Sequence, residues 1–282
     1  MSALSTLAFA RRLLRRPAAV AKAAPGAGAA IPAGAVRFQC NVCGTAQAAA
    51  PSDFARETRS CASCGSTVRF RAMAHLVVQE VLGVTRALTE LPRAAHIRGL
   101  GLSDDEGYAR RLAVAFDYTN TYFHQAPRFD ITAVPREHHA RYDFVVASDV
   151  FEHVVPPVDR AFAGARALLK PRGVLVFTVP FTLEPDTVEH FPELHDWRLL
   201  ERDGAWSLHN VTTDGRHQAF DDLVFHGGPG STLEMRRFSR DALLRAFERA
   251  GFARVRVADE ACPAFGIEWT EPFSVPMVAY AG

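Results

Sequence analysis

The sequence predicts a doubly wound α/β fold with a mostly parallel sheet, preceded by a small metal-binding module. The apolar run 142–147 ends abruptly in polar residues, a segment with helical spacing follows at 157–169, and a second apolar run covers 174–179. Parallel strands are buried on both faces and appear as continuous apolar runs, so these segments form one βαβ unit. Two pairs of closely spaced cysteines upstream indicate the module.

The first 35 residues form a basic tail rich in alanine. Residues 1–52 contain six Lys or Arg and no acidic residue, whereas residues 53–282 contain 26 basic and 31 acidic residues. Apolar side chains of the tail share one side of a helical wheel, opposite four arginines. This pattern is typical of a surface amphipathic helix, an organellar presequence or a disordered tail, and these alternatives remain open. The mildly acidic main body argues against wide phosphate binding.

The two CxxC pairs are separated by 17 residues and predict a zinc ribbon over 36–68. Their members are Cys40, Cys43, Cys61 and Cys64. Each pair precedes a glycine, which frees backbone amides to turn toward the sulfur atoms. Four thiolates fill the tetrahedral shell of Zn²⁺, so we expect a structural metal rather than a catalytic one. A redox dithiol pair or disulfides are the alternatives.

Arginines and phenylalanines are interleaved around the ribbon. The set consists of Arg37, Phe38, Phe54, Arg56, Arg59, Arg69, Phe70 and Arg71. Such residues can contact RNA, but they also neutralise a dianionic Zn(Cys)4 centre and pair with an adjacent domain. Helical spacing begins at Arg69 and ends at Gly83, which predicts a helix that joins the ribbon to the next domain. The chain has no long apolar span and no secretory signal, so we expect a cytoplasmic protein unless the tail directs it to an organelle.

Polar residues stand where the first apolar run ends. They are Ser148, Asp149, Glu152 and His153. Because ligands of open α/β sheets bind beyond the carboxyl ends of the strands, we expect these residues to line a ligand crevice. Glu152 and His153 also suit the first turn of a helix, where an acid is favoured by the helix dipole, and both interpretations stay open.

The segments D-V-F-E-H-V at 149–154 and L-L-K-P-R-G-V-L-V-F at 168–177 together resemble the class I S-adenosylmethionine-dependent methyltransferases. The resemblance covers roughly residues 97 to 280. It implies a mostly parallel, seven-stranded Rossmann-like sheet in a domain over 69–282. It also implies S-adenosylmethionine as cofactor and methyl transfer as the reaction.

The resemblance assigns several residues to the cofactor. In the family, the first strand leads into a glycine-rich loop beside the methionine part of the cofactor. Here Gly99 and Gly101 stand in that place, with no acid before them. Asp104 is either an acid that faces the ribose or a helix cap, and Asp130 resembles the acid that binds the adenine amino group. Ser148, Asp149 and Glu152 complete the predicted cofactor contacts.

Two registers fit the strands before residue 142. In the first, 97–102 is the first strand of the family sheet. In the second, 97–102 is the second strand, 106–116 is the helix after it, and 118–123 is the third strand. The first strand would then be hidden between residues 83 and 95. The second register agrees better with the spacing that the resemblance implies.

Residues 180–234 form a long insertion rich in His, Asp, Gly and Trp, predicted to cover the substrate. If a general base acts, His153, His190 and His226 are the candidates, because imidazole titrates near neutral pH. A helix at 237–251, capped by Ser239, and strands at 252–257 and 273–280 are expected to close the sheet.

The predicted function is therefore methyl transfer to an acceptor that is a small molecule, a glycan or a macromolecule. One alternative is a binding or scaffold protein that has kept the fold and lost the glycine loop. A second is an RNA methyltransferase guided by the zinc ribbon.

Overall fold

The computed structural model describes residues 34–282, so the predictions for the basic tail lie outside the described residues. These residues fall into two compact units: one of residues 195–234, and one that combines 34–194 with 235–282. Within 34–282, no helix has both the length and the apolarity needed to cross a membrane.

The amino-terminal module consists of an antiparallel hairpin and a loop. Its strands are β1 (Val36–Gln39) and β2 (Ala46–Ala49). Helix α1 (Val68–Leu82) follows the module. The Thr67 hydroxyl caps it by accepting a hydrogen bond of 3.2 Å from the Phe70 amide, and Gly83 ends it with a positive φ of 68°. The predicted joining helix is therefore confirmed.

The remaining elements follow in chain order. They are β3 (Ala94–Leu102), α2 (Glu106–Ala115), β4 (Phe116–Thr121), β5 (Tyr142–Ser148), α3 (Asp159–Leu168), β6 (Leu169–Thr178), β7 (Phe181–Thr182), β8 (Val188–Glu189), β9 (Asp196–Arg202), β10 (Ala205–Val211), β11 (His217–Phe220), β12 (Phe225–His226), β13 (Thr232–Leu233), β14 (Arg236–Ser239), α4 (Arg240–Arg249), β15 (Arg254–Val257) and β16 (Met277–Tyr280).

The central sheet has the strand order β15-β16-β6-β5-β3-β4. Strands β3 to β6 are mutually parallel, whereas β16 is antiparallel to both of its neighbours. The predicted βαβ unit is thus β5, α3 and β6, and the predicted closing strands are β15 and β16. The sheet contains six strands among the described residues, not the predicted seven.

The structure decides between the two registers. Strand β3 pairs with β4 on one side and with β5 on the other, so it is the innermost of the early strands. The second register is therefore wrong: residues 83–95 contain a short 3-10 turn at Leu88–Glu90 but no strand before β3 begins at Ala94. Strand β4 is the edge strand. The segment 122–141 adds only an isolated bridge and includes two prolines, which lack the amide that a strand ladder requires.

Alternating side chains of the strands point to opposite faces of the sheet and build two separate cores. On one face, Phe144 and Val146 pack in a cluster that includes α1 and the amino-terminal module. On the other face, Val145 and Ala147 pack in a cluster that includes α3 and α4. The module is therefore part of the folding unit of the sheet, which places its side chains near the sheet edge.

Strand β6 begins earlier than expected. The sequence predicts an apolar strand over 174–179, but in the structure the strand runs from Leu169 through Thr178. The ladder between β5 and β6 shifts register between Tyr142 and Phe144, opposite this stretch. That irregularity accommodates Pro171 because no ladder hydrogen bond has to come from it.

The unit of residues 195–234 is built from short antiparallel strands. β9, β10 and β11 form a three-stranded sheet in the order β11-β10-β9, and β12 pairs with β13. Leu208 is fully buried. The predicted role of this insertion as a cover over the substrate stays a prediction.

Candidate active site and four-cysteine cluster

The chain changes direction in the sheet between β3 and β5. From β3 it runs to β4 on one side, and it then crosses to β5 on the other side of β3. The carboxyl ends of β3 and β5 therefore lie at a topological switch point, where open α/β sheets bind their ligands. Of the predicted site residues, Ser148 ends β5 there and Asp149 follows directly.

Asp149 is held by an arginine of the amino-terminal module. Arg56 donates from Nη2 to Asp149 Oδ1 at 2.8 Å and from Nη1 to Oδ2 at 3.0 Å. Arg56 also donates to Thr178 Oγ1 at 2.7 Å and to the Ser274 carbonyl at 2.9 Å. Asp149 itself has a positive φ of 54°, a strained conformation of the kind that clusters at functional sites.

Arg69, in the first turn of α1, is the second arginine at this edge. Its Nη1 donates to Ser148 Oγ at 2.6 Å, and its Nε lies 3.3 Å from Asp149 Oδ2. Glu57 accepts from Nε at 2.7 Å and from Nη2 at 2.8 Å. Burial opposes the charge of Arg69, but Glu57 and Asp149 outweigh it and raise the pKa of the guanidinium, so it stays protonated.

Asp104 lies at the carboxyl end of β3 and is buried. Its carboxylate accepts hydrogen bonds from the hydroxyls of Tyr108 and Tyr118. Desolvation raises the pKa of Asp104 to about 7, although the two tyrosine hydrogen bonds act in the opposite direction. The interpretation of Asp104 as a helix cap is wrong, because Asp105 caps α2 by accepting from the Gly107 amide at 2.7 Å.

Gly99 and Gly101 lie within β3 rather than in a loop after it. A Cβ atom at Gly99 would overlap the Phe144 ring, and one at Gly101 would overlap Tyr118 Oη and Asp104 Oδ2. Both glycines thus make room for protein side chains. Their predicted contact with a cofactor stays a prediction.

Glu152 and His153 lie in the 3-10 turn Phe151–His153 directly after β5. Glu152 is fully buried, and its Oε1 lies 3.6 Å from His153 Nε2. The turn is fixed by Arg236, also fully buried, which donates to the Phe151 carbonyl at 2.9 Å and to the Val154 carbonyl at 2.6 Å. The structure thus joins a carboxylate and an imidazole beside the switch point.

Three further residues were predicted for the site: Asp130, His190 and His226. Asp130 Oδ1 accepts from the amide and hydroxyl of Thr132 at 2.8 and 2.7 Å, which is a local turn. The His190 amide donates to the Met235 carbonyl at 2.9 Å. His226 belongs to the unit of residues 195–234, where its Nε2 lies 3.0 Å from Glu234 Oε2. The predicted roles of Asp130, His190 and His226 stay predictions.

The four predicted zinc ligands converge in the module. Cys40 lies 3.7 Å from Cys64, Cys43 lies 3.7 Å from Cys61, and Cys61 lies 3.5 Å from Cys64, measured between sulfur atoms. All four are free thiols, so the disulfide alternative is wrong. Gly44 and Gly65 have positive φ angles of 80° and 71°, and their amides donate to the Cys40 and Cys61 carbonyls at 2.7 and 2.8 Å.

Arg71 connects the cysteine cluster with the main domain. It is fully buried, and it donates to the Ser66 carbonyl at 3.0 Å and to the Gly266 carbonyl at 2.7 Å. Ser66 Oγ in turn lies 3.1 Å from Cys40 Sγ. Burial lowers the pKa of Arg71, and the nearby cysteines act in the opposite direction. Arg56, Arg69 and Arg71 thus pair with residues of the adjacent domain, and neutralisation of a metal centre by the arginines stays a prediction.

Several residues at this edge were not identified from the sequence as members of the site. Arg56 and Arg69 were noticed as basic residues of the module, but nothing in the pattern placed them on Asp149. Tyr108 and Tyr118 give no signal in the sequence, because a buried tyrosine and a tyrosine that binds a carboxylate look alike there. Arg236 stands in a charged pair, Arg236-Arg237, that is typical of a solvated surface.

Fold and site together define an α/β protein that carries its candidate ligand site at the carboxyl edge of a mainly parallel sheet. The family model described as a methyltransferase domain matches residues 86–257, more than half of the chain. The chain therefore belongs to this methyltransferase family, and the protein is a methyltransferase. No curated protein matches the chain.

Solved structures show weaker similarity. The 1,6-didemethyltoxoflavin-N1-methyltransferase of Burkholderia thailandensis is 16% identical, with 74% of this chain and 77% of that chain covered and a TM-score of 0.41. The sugar N-methyltransferase KedS8 of a Streptoalloteichus species is 13% identical, with 75% and 87% covered and a TM-score of 0.42. A methyltransferase of Clostridium acetobutylicum is 12% identical, with 75% and 90% covered and a TM-score of 0.40. Similarity at this level carries nothing about the acceptor.

Proposed function

We propose that the protein transfers a methyl group from S-adenosylmethionine, bound at the switch point between β3 and β5, to an acceptor held at the same edge. Membership of the methyltransferase family is the observation that carries the proposal. The position of Ser148 and Asp149 at the end of β5 supports it, because this is the edge where a doubly wound sheet binds ligands.

The charged groups at the edge suit the amino-acid part of the cofactor. An α-amino acid carries an ammonium group and a carboxylate on one carbon atom. The edge presents the complementary pair, the Asp149 carboxylate and the Arg69 guanidinium, 3.3 Å apart at their nearest atoms. We therefore assign Asp149, Ser148 and the end of β3 at Asp104 to the cofactor, and Glu152 supports them from within the core.

When bound, the cofactor supplies a methyl group on a positively charged sulfur. The protein contributes mainly alignment, because transfer to a nucleophilic acceptor requires the acceptor to lie in line behind the methyl–sulfur bond. If the atom that receives the methyl group carries a proton, His153 is the residue proposed to remove it. Its Nε2 lies 3.6 Å from the Glu152 carboxylate, which stabilises the imidazolium form after proton uptake.

Calorimetric titration with S-adenosylmethionine tests the cofactor. We expect micromolar binding by the wild-type protein and at least tenfold weaker binding by Asp149→Ala, since a charged hydrogen bond contributes roughly 1.5–3 kcal/mol. Asp130→Ala tests the predicted adenine contact in the same experiment. No binding at millimolar ligand would support the non-catalytic scaffold protein instead.

We further propose that the cysteine cluster binds one structural Zn²⁺. With Zn–S bonds of about 2.3 Å, the edge of a tetrahedron is about 3.8 Å, and three of the sulfur separations, 3.5 to 3.7 Å, are close to it. Four sulfur ligands leave no position for a reacting water. Metal analysis of protein purified without chelator is expected to give one zinc per chain, and a value near zero would contradict the ribbon.

The RNA alternative is less favoured by the structure. Two of the arginines that it needs, Arg56 and Arg69, are turned to Asp149 at the sheet edge and have side-chain exposures of 20% and 14%. RNA binding that falls steeply with salt and is lost when Arg56, Arg59 and Arg69 become alanine would restore this alternative.

A further inference from the structure

We propose that Arg69, supplied by the helix that follows the cysteine module, binds the carboxylate of the amino-acid part of S-adenosylmethionine. The inference rests on the proposed function. It makes the amino-terminal module a contributor to the ligand site rather than a separate docking element.

The first argument is position. Arg69 lies in the first turn of α1, and its amide donates to the Arg56 carbonyl at 3.2 Å, which ties the helix start to the module. From there its guanidinium reaches Ser148 at the end of β5. Its charge also acts on buried Asp104 at the end of β3. Arg69 therefore spans both sides of the switch point, where a ligand of this fold has to bind.

The second argument is that the charged groups of the ligand can replace the present ionic partners of Asp149 and Arg69. In the structure, the Arg69 guanidinium contacts Asp149 and forms a two-point interaction with Glu57. A ligand with an ammonium group and a carboxylate offers Asp149 and Arg69 equivalent partners, and the displaced Glu57 keeps its hydrogen bond from Arg56 Nη1. The side chain of Glu57 is 50% exposed, so water can solvate its carboxylate when a ligand carboxylate takes its place on the largely buried Arg69.

The third argument separates Arg69 from the other arginines nearby. Arg56 uses Nε, Nη1 and Nη2 on Ser274, Asp149, Glu57 and Thr178, which fixes it as a structural clamp. Arg236 is fully buried and fixes the turn after β5. Arg69 instead donates from Nε and Nη2 to the half-exposed carboxylate of Glu57. This is the geometry in which a guanidinium binds a carboxylate through two hydrogen bonds.

The test compares S-adenosylmethionine with decarboxylated S-adenosylmethionine, which keeps the sulfonium and the ammonium but lacks the carboxylate. Binding of both is measured by calorimetry for the wild-type protein and for Arg69→Ala, Arg69→Lys and Arg37→Ala. Arg37 is an exposed arginine of the same module and serves as matched control. We expect the wild type and Arg37→Ala to prefer the intact ligand by roughly 10- to 100-fold.

In Arg69→Ala the preference is expected to fall to about threefold or less, with affinity for the decarboxylated ligand little changed. Arg69→Lys keeps the charge but not the fork, so an intermediate preference is expected, and this variant decides the question if Arg69→Ala does not fold. If both variants still prefer the intact ligand as strongly as the wild type, or if the wild type binds both ligands equally, the inference about Arg69 is wrong. The proposal that the protein binds S-adenosylmethionine would still stand. If the wild-type protein binds neither ligand, the proposed cofactor itself is wrong.

Discussion

Arg56 of the amino-terminal module donates two hydrogen bonds, of 2.8 and 3.0 Å, to Asp149 at the end of β5, although the two residues are 93 positions apart in the sequence. Both side chains are mostly buried, with exposures of 20% and 17%. A paired geometry of this kind is among the stronger polar interactions in proteins. The module is consequently fastened to the edge of the sheet at which the ligand is proposed to bind.

Removal of the Arg56 side chain is expected to destabilise the protein. Arg56→Ala leaves the largely buried Asp149 carboxylate with one guanidinium fewer, and we expect the free energy of unfolding to fall by about 2–4 kcal/mol in urea titration. Arg59→Ala, at an exposed position of the same module, should change it by less than about 0.5 kcal/mol. Equal effects of the two substitutions would contradict a special role for Arg56.

Loss of one cysteine ligand is expected to remove the metal and to loosen the module. Cys61→Ser should abolish bound zinc and lower the free energy of unfolding by on the order of 3–5 kcal/mol, because metal binding and folding of such modules are coupled. Cys262→Ser is the matched control, since Cys262 lies outside the cluster. Zinc content and thermal unfolding measure both effects, and full zinc occupancy in Cys61→Ser would contradict the proposed ligand set.

The burial of Asp104 predicts a pH-dependent stability. Its pKa is raised from 3.8 to about 7 in the folded protein, so between these values the folded state holds a proton that the unfolded chain has lost. The contribution of Asp104 to stability therefore decreases as the pH rises through this window. Asp104→Asn does not titrate, and its amide can accept from one tyrosine hydroxyl and donate to the hydroxyl oxygen of the other, as a protonated carboxyl group does. The stability of this variant relative to the wild type should increase by about 2–3 kcal/mol between about pH 5 and about pH 8.5.

Urea titrations at the two pH values measure this difference. Asp259→Asn is a suitable control, because Asp259 is an exposed acidic residue. A difference between Asp104→Asn and wild type that does not vary with pH would show that Asp104 titrates normally.

The close packing around Gly101 predicts a coupled pair of substitutions. A Cβ at Gly101 would overlap Tyr118 Oη and Asp104 Oδ2, so Gly101→Ala should cost about 3 kcal/mol or more. Tyr118→Phe removes the nearest obstructing atom and should cost about 1–3 kcal/mol through the lost hydrogen bond to Asp104. The double variant is expected to be more stable than the sum of the single effects by about 1 kcal/mol or more. Strict additivity in urea titration would show that Gly101 is sensitive for another reason.

Much of the fold could be predicted from local patterns. The apolar run that becomes β5, the helical spacing of α3 and the cap at Ser239 are all encoded within a few residues, and each is confirmed. The positions of strands β3 and β4 in the sheet were harder to predict from the sequence. Both registers satisfy the same local pattern, and only the pairing of β3 with β5 separates them.

The sequence could identify those residues of the candidate site that lie together in one segment of the chain. Ser148 and Asp149 could be identified because the run before them is apolar and they are not. Arg69 could not be placed on Asp149 from the sequence, since the two residues are far apart in the chain and a basic residue near a cysteine cluster has several possible partners. The predicted role of Asp130 came from the resemblance; the structure shows its carboxylate in a local turn, and the adenine contact stays a prediction.

The sequence by itself determined the α/β class, the polar end of β5 and the four cysteines of the module, because each depends on residue spacing over short distances. Only the tertiary structure decided that the sheet has six strands, that β3 lies beside β5, and that two arginines of the amino-terminal region lie on Asp149. The physical reason is that these features arise from packing and charge pairing between distant segments. Their partners are selected when the module and α1 pack on one face of the sheet, and no local pattern records that choice.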